Sequence, residues 1–532
     1  MFATLRDLYL ESIEKFADST ASGMLNFETL TYRDFDQRVK QVQDILATAG
    51  LEKGDKIAIL SNNMPNWGIS YFAIVISGFT VVPILPDFSG EEVGKILDHA
   101  EAKALIVSDK LFSKLNKADT EKLNIVIRSK NLGILSQKVN SPSVFSEPKS
   151  DDLAAIIYTS GTTSSPKGVM HTHRTLCAQL DMIYGLFPMY PEDDLLSILP
   201  LSHTYECSLG MLFPFMCGCS VYYIDKAPTA AVLMPAFKKV KPTVMLVVPL
   251  IIEKVYRSQI AAKFNKNALL RGIYKFAPTR KLLHKIAAKK LYKTFGGRLR
   301  FFGIGGSKTD FDTERFLNEG KFPYAIGYGL TETAPLIAGA LPGLTKLGST
   351  GPHMKEIEWK LDNINPETGE GELMVKTPSI MTGYYKNPEA TAEAITEDGW
   401  FHTKDLCKLD KHNYLFIKGR LSNMIVGPSG ENIYPEEIEN VINSHFLVTE
   451  SIVTEEKGKL VALVHFNYEA LEQKYYDMKE NLSYRMDDIK SDLMKYVNSK
   501  VNKFSKISTV EEQKEEFEKT PTQKIKRFKY NK

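Results

Sequence analysis

This sequence has few cysteines, no long apolar run and little net charge. Its five cysteines among 532 residues are too few for a disulfide framework, and Cys217-Gly-Cys219 lacks the second pair that a zinc site needs. The longest apolar stretch, residues 71–86, is interrupted by Ser, Gly, Thr and Pro and is shorter than the roughly 20 residues of a membrane-spanning helix. The first sixteen residues place acids where a signal peptide needs an apolar run. We therefore expect a cytoplasmic protein with reduced thiols.

The charge balance excludes one broad class of partner. The chain has 67 Lys and Arg against 64 Asp and Glu, so its formal net charge is only +3. A globally basic nucleic-acid-binding protein would need a large excess of positive charge, and we expect no nucleic-acid partner. Hydrophobic residues make up 43% and charged residues 25%, which is typical of a folded globular protein and not of a disordered one.

Apolar runs with β-forming residues alternate with helical patterns up to about Gly348. This alternation predicts layers of α-helices on largely parallel β-sheets. From Gly348 onward the strands are punctuated by Gly and Pro, which predicts a smaller β subdomain. The predicted strands are 56–60, 81–85, 104–107, 155–158, 220–224, 244–248, 300–304, 371–375 and 414–417.

The pattern changes again after Arg420. Pro435 stands at the start of a predicted helix with Glu436 and Glu437 in its first turn, as the helix dipole favours. Predicted strands follow near 451–453 and 460–466. The fold class is therefore α/β. We expect a large N-terminal domain of layered α/β subdomains plus a β subdomain, residues 1–421, and a small α+β C-terminal domain, residues 422–532.

The segment 158–170 has the composition of a phosphate-binding loop. It reads Tyr-Thr-Ser-Gly-Thr-Thr-Ser-Ser-Pro-Lys-Gly-Val-Met, so a β-rich run leads into hydroxyl groups, glycine and Lys167. Backbone N–H groups, hydroxyls and a cation of this kind can surround phosphates. The segment is not a Walker loop, because Lys167 lies between Pro166 and Gly168. Taken alone, it favours phosphate binding over an ordinary turn of the same composition.

The segment resembles the signature loop of the adenylate-forming superfamily, which includes acyl-CoA synthetases, luciferases and peptide-synthetase adenylation domains. Segments 249–256, 297–302 and 383–391 are similar to the long-chain fatty acyl-CoA synthetase branch. The resemblance covers nearly the whole chain. Further matches follow in the family's order: Leu199-Pro-Leu-Ser-His203, Gly305-Gly-Ser307, Tyr328-Gly-Leu-Thr-Glu-Thr333, Gly399-Trp-Phe-His-Thr-Lys-Asp405, Gly419-Arg420, the segment 430–439 and Thr522-Gln-Lys524.

The resemblance implies a two-step reaction. A carboxylic acid attacks the α-phosphate of ATP to give acyl-adenylate and pyrophosphate, and the thiolate of coenzyme A then displaces AMP. The first step brings anions together, so catalysis would depend on positioning and charge neutralisation. The resemblance also implies Mg²⁺ as cofactor and a fatty acid, ATP and coenzyme A as substrates.

The nucleotide-binding residues implied by the resemblance fall into two sets, one for the phosphates with Mg²⁺ and one for the nucleoside. The phosphate loop would hold the β- and γ-phosphates, and Mg²⁺ would be held by Glu332 with Thr159, whose oxygen atoms suit that ion. The adenine and ribose would contact a second set, in which Tyr328 stacks on the base, Asp405 accepts hydrogen bonds from the ribose hydroxyls and Arg420 orients them. Lys404 stands where the family usually has glycine. The complete ATP-binding set is Thr159, Ser160, Gly161, Thr162, Thr163, Lys167, Gly305, Gly306, Tyr328, Gly329, Thr331, Asp405 and Arg420.

Four further residues complete the site that the resemblance implies. His203 matches the histidine bordering the acyl pocket, although a structural, hydrogen-bonded histidine would fit the pattern nearly as well. Gly430 would contact coenzyme A, and Ser422 would be the hinge about which the small domain turns between the two steps. Lys524 aligns with the catalytic lysine that bridges the acyl carboxylate and the α-phosphate. Because the last fourteen residues hold six basic residues and no acid, a merely solvated tail is the alternative for Lys524.

A second basic segment runs from Lys254 to Arg300. It contains Lys and Arg but neither Asp nor Glu, with apolar and aromatic residues at roughly helical spacing. Such a basic amphipathic pattern indicates peripheral contact with the inner membrane surface. A helix with a buried stripe and a solvated basic face is an equal alternative.

The leading hypothesis is a long-chain fatty acid–coenzyme A ligase. The alternatives are a ligase delivering acyl groups to an acyl-carrier protein, a medium-chain or aryl acid–coenzyme A ligase, and a catalytically silent membrane-binding homologue. The match at Lys167, Glu332, Asp405, Arg420 and Lys524 argues against the silent homologue. Chain-length preference and oligomeric state cannot be read from the sequence.

Overall fold

The computed structural model of the chain describes residues 2–138, 141–159, 166–264, 268–427, 432–475, 482–520 and 524–530. The strands are β1 Thr20–Met24, β2 Thr29–Thr31, β3 Lys56–Leu60, β4 Thr80–Pro83, β5 Ala102–Val107, β6 Ile125–Arg128, β7 Ile134–Gln137, β8 Leu153–Thr159, β9 Lys167–Thr172, β10 Asp194–Ser197, β11 Ser220–Tyr223, β12 Val244–Val247, β13 Phe301–Ile304, β14 Tyr324–Gly329, β15 Leu336–Gly339, β16 Glu358–Asp362, β17 Gly371–Lys376, β18 Gly383–Tyr384, β19 Phe401–Leu409, β20 Leu415–Arg420, β21 Ile425–Val426, β22 Asn432–Ile433, β23 Val448–Glu456, β24 Lys459–Phe466 and β25 Thr509–Glu512.

Helices connect and cover these strands. The α-helices are α1 Leu5–Phe16, α2 Tyr32–Leu46, α3 Pro65–Ile76, α4 Gly90–Ala100, α5 Asp109–Phe112, α6 Lys117–Glu121, α7 His173–Leu186, α8 Thr204–Cys207, α9 Phe213–Met216, α10 Ala230–Val240, α11 Pro249–Val255, α12 Ala262–Phe264, α13 Ala268–Lys275, α14 Ala277–Thr294, α15 Phe311–Glu319, α16 Pro388–Ala394, α17 Pro435–Asn443, α18 Tyr468–Tyr475 and α19 Leu482–Asn498. Two π-helical segments, Ser208–Leu212 and Tyr256–Ala261, extend α8 and α11. Short 3-10 turns lie at Thr331–Thr333, Leu421–Asn423 and Arg527–Lys529.

Two eight-stranded sheets form the body of the large domain. The first has the order β15-β14-β13-β12-β10-β11-β1-β2, and the second has the order β18-β9-β8-β4-β3-β5-β6-β7. Most neighbouring strands in both sheets are parallel, with antiparallel strands at the edges. The antiparallel sheet β16-β17-β19-β20 is the β subdomain. Each strand predicted above lies on an observed strand, and the mixed α/β fold with a large and a small domain is confirmed.

Local sequence explains why these elements form where they do. Helix α2 begins at a capping box in which Thr31 and Asp34 bond each other's backbone N–H groups. Its buried face repeats at helical spacing, from Tyr32 and Phe35 to Val39, Val42 and Leu46. Helix α3 is instead buried almost all round, because it packs between sheet strands and α1 and α2. No helix within the described ranges is long and apolar enough to cross a membrane.

The small domain has a core of its own. Strands β23-β24-β25 form a three-stranded sheet against which α17 and α19 pack. The apolar side chains between them form a cluster separate from the core of the large domain, with Ile438, Val464 and Leu493 fully buried. All five cysteines are free and buried, as expected for reduced thiols packed in a core.

A buried ion pair joins two strands of the first sheet. Asp193, just before β10, is 4% exposed and accepts hydrogen bonds from Thr243 at 2.7 Å and from Arg300 Nε at 2.7 Å. The Arg300 guanidinium also lies 4.4 Å from the centre of the Phe187 ring. Burial alone would raise the pKa of Asp193, but the bonds from Arg300 and Thr243 hold that pKa below its usual value. The pair therefore stabilises the folded state.

Replacing Arg300 should destabilise the large domain strongly. Arg300→Leu leaves the Asp193 carboxylate buried without its cation, which costs about 3 kcal/mol in comparable pairs. Arg298→Leu is the matched control, since Arg298 pairs with Asp194 at 2.9 Å in an exposed setting where such pairs contribute about 1 kcal/mol or less. Urea unfolding followed by intrinsic fluorescence measures both. Equal losses in the two variants would contradict this reading.

Candidate active site

The two ends of the phosphate-loop segment are neighbours in the second sheet. Thr159 is the last residue of β8 and Lys167 the first of β9, and the two residues face each other across the antiparallel pair. The ammonium group of Lys167 lies 5.0 Å from the centre of the Tyr384 ring, a cation–π contact. Ser160, Gly161, Thr162 and Thr163 lie outside the described residues. Their predicted phosphate contacts stay predictions.

The predicted ribose and adenine residues form one hydrogen-bonded group. Asp405 on β19 is 5% exposed and accepts a hydrogen bond from the Tyr328 hydroxyl at 2.6 Å and another from Arg420 Nε at 2.9 Å. Burial and the Asp405 charge raise the pKa of Tyr328 well above its usual value, so the hydroxyl stays protonated and donates. The Asp405 charge also raises the pKa of Arg420. Strand β14 thus meets the β19–β20 pair at a single carboxylate.

Lys404, which stands where the family usually has glycine, adopts an unusual backbone conformation. Lys404 has a φ of +57°, in the left-handed region that favours glycine, and its backbone N–H donates to Glu372 at 3.1 Å. A non-glycine residue is therefore held in a glycine-like conformation beside Asp405. Gly329 matches the family's motif, and only glycine fits there. A Cβ at this position would lie 1.9 Å from the carbonyl oxygen of Pro335.

Glu332 lies in a short turn that neighbouring elements hold from both sides. The backbone oxygen of Thr331 accepts a hydrogen bond from His171 Nε2 at 2.8 Å, and that of Glu332 accepts one from Met381 at 2.8 Å. Burial lowers the pKa of His171 to about 4, so its ring is neutral and Nε2 carries the proton. The Tyr384 hydroxyl donates to Glu332 Oε1 at 2.9 Å. Within the described ranges Glu332 forms no ion pair.

His203 and the Gly305-Gly306 pair lie on either side of Tyr205. His203 caps helix α8, where its Nδ1 accepts a hydrogen bond from the backbone N–H of Tyr205 at 3.2 Å. A Cβ on Gly305 would lie 3.2 Å from the Tyr205 ring, closer than a side chain comfortably packs. Gly306 has a φ of +92°, which favours glycine as well. Glycine at position 305 therefore lets the backbone approach the Tyr205 ring closely, and glycine at position 306 suits the backbone conformation.

Lys524 differs from the other basic residues of the tail. Lys519 pairs with Glu450, Lys526 and Lys529 with Glu518, and Arg527 with Glu439, all within the small domain. In the part of the chain that the structure describes, Lys524 has no such ion pair. Each of these four residues is therefore paired with an acid, whereas the role of Lys524 stays a prediction.

The Lys524 ammonium group faces the predicted site. One side of Lys524 remains exposed, but the protein around it and the Arg420 charge lower the pKa of its ammonium group, against the opposing effects of Asp405 and Glu332. Burial lowers the pKa of His203 to about 4, and the Lys524 charge contributes to that shift. The structure thus brings Lys524 close enough to His203, Asp405, Glu332 and Arg420 for their charges to interact.

Comparison with known proteins identifies the family and the fold. The family model described as AMP-binding enzyme matches residues 10–385, more than half of the chain. The chain belongs to the AMP-binding enzyme family. Similar proteins include long chain acyl-CoA synthetase 1 of Arabidopsis thaliana, 28% identical over 89% of this chain and 81% of the relative. A chloroplastic long-chain-fatty-acid–[acyl-carrier-protein] ligase of the same plant is 27% identical over 87% of this chain and 76% of the relative.

Solved structures of this fold superpose on nearly the whole chain. ATP-bound MatB from Rhodopseudomonas palustris has a TM-score of 0.80 at 21% identity and covers 100% of this chain and 98% of its own. The O-succinylbenzoate coenzyme A synthetase of Bacillus subtilis, solved with ATP and magnesium, has a TM-score of 0.78 at 22% identity and covers 98% of each chain. Both share the large and small domains of this protein.

Two residues that support the site were not predicted from the sequence. Tyr384 belongs to the segment 383–391 that resembles the long-chain branch, but nothing local indicates that its hydroxyl reaches Glu332, 52 positions away. His171 follows the phosphate-loop segment and bonds to Thr331 across 160 positions. A motif search weighted toward polar residues flanking the matched segments would have flagged both. Gly430 lies outside the described residues, and Ser422 is exposed in the turn Leu421–Asn423.

The charge interaction between Lys524 and His203 predicts a measurable coupling. Lys524→Ala removes a positive charge that disfavours the imidazolium form, so the pKa of His203 should rise toward its usual value while remaining low because of burial. Titration of the ¹³C-labelled histidine ring by NMR measures this, with His203→Gln as the assignment reference. Lys529→Ala is the control, because Lys529 pairs with Glu518. An unchanged His203 pKa in Lys524→Ala would show that the small domain rests in another orientation.

Proposed function

We propose that the protein is an ATP-dependent long-chain fatty acid–coenzyme A ligase that works through an acyl-adenylate. The observation that supports this most directly concerns Lys524, whose charge interacts with those of Asp405, Glu332 and Arg420, whereas four other basic residues of the tail are paired elsewhere. A cation positioned there is what a carboxylate approaching a phosphate requires. The long-chain substrate is proposed from relatives whose names describe long-chain acyl-CoA synthetases.

In the first step, a carboxylate oxygen of the acid attacks the α-phosphorus of ATP, and the bond to pyrophosphate breaks. Lys524 would contact both the carboxylate and the α-phosphate and stabilise charge that increases in the transition state. Lys167 and the hydroxyl groups of the phosphate loop would hold the β- and γ-phosphates. His203, neutral because burial lowers its pKa, would border the acyl group without adding a competing cation.

The nucleoside would bind to the group around Asp405. Asp405 would accept hydrogen bonds from the ribose hydroxyls, Arg420 would keep the carboxylate oriented, and the Tyr328 ring would stack on adenine. Glu332 and Thr159 offer a carboxylate and a hydroxyl, the oxygen ligands that Mg²⁺ prefers, and Glu332 forms no ion pair with a described residue. These two residues would hold the ion, which when bound neutralises charge on the polyphosphate.

The second step would need a different orientation of the small domain. The coenzyme A thiolate attacks the acyl carbonyl carbon, a thioester bond forms and AMP leaves. We place the domain boundary between residues 421 and 422. Ser422 would be the hinge, because it lies exposed in a turn two residues after Arg420. Rotation there would withdraw Lys524 after adenylation and let Gly430 contact coenzyme A.

One assay distinguishes the proposed activity from three alternatives. A relative is named as a ligase for acyl-carrier protein, and structural neighbours include coenzyme A ligases for benzoate and anthranilate. Pyrophosphate release across fatty and aromatic acids, with coenzyme A or acyl-carrier protein as acceptor, separates them. We expect release with long-chain acids and thioester with coenzyme A. Release with aromatic acids alone would reassign the substrate, and no release with any acid would indicate a silent homologue.

Lys524→Ala should separate the two half-reactions. Losing one preorganised cation of this kind costs adenylation at least about 100-fold. Thioester formation starts from a neutral acyl ester and should proceed from pre-made acyl-adenylate at near the parent rate. Pyrophosphate release measures the first step and acyl transfer to coenzyme A the second.

The other basic residues of the tail are the matched controls for that experiment. Lys526→Ala and Lys529→Ala remove the same charge from side chains that pair with Glu518 and not with the site. Both should keep adenylation near the parent rate. If Lys524→Ala behaves like Lys529→Ala in pyrophosphate release, the catalytic role of Lys524 is wrong.

Tyr384→Phe should weaken Mg²⁺ binding selectively. The substitution removes the hydroxyl that orients Glu332 but keeps the ring beside Lys167. Loss of an orienting partner of a metal ligand typically lowers metal affinity about 10–100-fold. Calorimetry of ATP binding over a range of Mg²⁺ concentrations should show a higher Mg²⁺ requirement and unchanged metal-free ATP binding. Tyr384→Leu should also weaken metal-free ATP binding, because the ring is lost.

Two further variants, Tyr385→Phe and Glu332→Gln, are the negative and positive controls for this experiment. Tyr385 is the adjacent tyrosine, and its hydroxyl donates to the exposed Glu101 at 3.3 Å, so its removal should leave the Mg²⁺ requirement unchanged. Glu332→Gln should raise that requirement if Glu332 is the metal ligand. An effect in Glu332→Gln without one in Tyr384→Phe would contradict only the role of Tyr384.

A further inference from the structure

Four large apolar side chains are exposed on one helical hairpin of the large domain. The hairpin consists of α13 and α14, which are joined at Phe276. Phe276 is 65% exposed, Leu282 59% and Ile286 61%, and Ile273 is 38% exposed. A single exposed apolar residue is ordinary on a protein surface, but a group of this size within fourteen residues indicates an interaction site.

The structure divides the basic residues from Lys254 to Arg300 into two kinds. The arginines whose side chains are described turn toward the protein and pair with acids: Arg257 with Glu253 and Asp310, Arg280 with Glu319, Arg298 with Asp194, and Arg300 with Asp193. The lysines are exposed and form no ion pair within the described ranges: Lys254, Lys263, Lys275, Lys281, Lys285, Lys289, Lys290 and Lys293. Among the side chains described in this segment, the lysines therefore present unpaired positive charge to a partner.

The periodicity of α14 places apolar and charged groups on the same outward side. His284, Ala288 and Leu291 are buried against the domain. Residues 282, 286, 289 and 293 follow at helical spacing on the opposite side, so Leu282 and Ile286 alternate there with Lys289 and Lys293. Lysine side chains are long enough to extend past an apolar neighbour and place their ammonium groups at a different depth.

We propose that this hairpin face, made of Ile273, Phe276, Leu282, Ile286 and the surrounding lysines, binds the surface of an anionic phospholipid bilayer. The apolar side chains would enter the boundary between headgroups and acyl chains while the ammonium groups contact lipid phosphates. Charge complementarity selects an anionic surface, because the segment of the hairpin contains no acidic residue. The functional role of this contact rests on the proposed function. Because long-chain acids partition into bilayers, an enzyme bound at the bilayer surface is close to its substrate.

Co-sedimentation of the full chain with vesicles tests the proposal without any assay of activity. We expect binding to phosphatidylcholine vesicles that contain phosphatidylglycerol, weak binding to pure phosphatidylcholine, and loss of binding as salt rises, because salt screens each charge over about 8 Å at physiological strength. Failure to bind anionic vesicles at low salt would overturn the proposal. So would binding that is indifferent to lipid charge. The proposed ligase activity would be unaffected by either outcome, since it is measured by pyrophosphate release.

Two variants locate the binding face. The charge variant Lys285→Gln with Lys289→Gln should lower the vesicle partition coefficient at least about tenfold, since each lysine near such a surface contributes roughly a fivefold factor. The apolar variant Phe276→Ser with Leu282→Ser should lower it by a similar factor through lost insertion. These side chains are exposed, so thermal unfolding should be unchanged in both, which separates lost binding from lost folding.

Matched controls lie on strands β5 and β7 of the second sheet and on helix α5, which follows β5. Lys103→Gln with Lys110→Gln removes two exposed charges there, and Ile134→Ser removes an exposed apolar side chain. Both should bind vesicles like the parent protein. Equal losses in the controls and in the hairpin variants would overturn the assignment of the face. Retention on an acidic polymer such as heparin without vesicle binding would instead indicate an acidic macromolecule as the partner.

Discussion

The buried carboxylate of Asp405 is the constraint on which the site depends. A carboxylate with 5% exposure is stable only when hydrogen bonds and an opposite charge compensate for lost hydration. Tyr328 supplies one bond from the first eight-stranded sheet, and Arg420 supplies the charge from the antiparallel sheet. Arg420 is also the last residue before the turn that leads into the small domain. One carboxylate therefore connects the parallel sheet, the β subdomain and the start of the small domain.

The distribution of positive charge follows the chemistry of the two basic side chains. Arginine forms planar, bidentate bonds, and it makes the internal pairs with Asp193, Glu319 and Glu439. Lysine is strongly hydrated and more mobile, and it is the residue left exposed on the α13–α14 hairpin. Lys524 is different, because its charge interacts with those of Asp405 and Glu332 while it forms no ion pair with a described residue. Lys519, Lys526, Arg527 and Lys529 are paired inside the small domain, so among the described residues of the tail Lys524 is the unpaired cation.

Much of the architecture could be predicted from local patterns. Strands such as β3 and β24 are short apolar runs bounded by turn residues, and α17 begins at Pro435 as its sequence indicates. The order of the motifs along the chain was sufficient to predict the family. Local patterns were less informative about charge, because Arg527 and Arg300 pair with acids 88 and 107 positions away in sequence. The basic runs therefore looked solvated or membrane-facing throughout. Between residues 254 and 300, however, the structure pairs each arginine whose side chain is described with an acid and leaves the described lysines without an ion pair.

The sequence by itself determined the fold class and the two-domain order, because periodicity, capping and glycine-dependent turns act over a few neighbouring residues. The candidate site residues were predicted from the resemblance of its motifs to those of the family. Tertiary structure alone decided which groups meet. The bonds from Tyr384 to Glu332 and from His171 to Thr331 join residues 52 and 160 positions apart. It also decided that Lys404 adopts a left-handed backbone conformation at a position where the family usually has glycine. Such contacts depend on how sheets pack and where loops cross. A local sequence pattern spans only a few residues, so it does not encode contacts between residues so far apart in sequence.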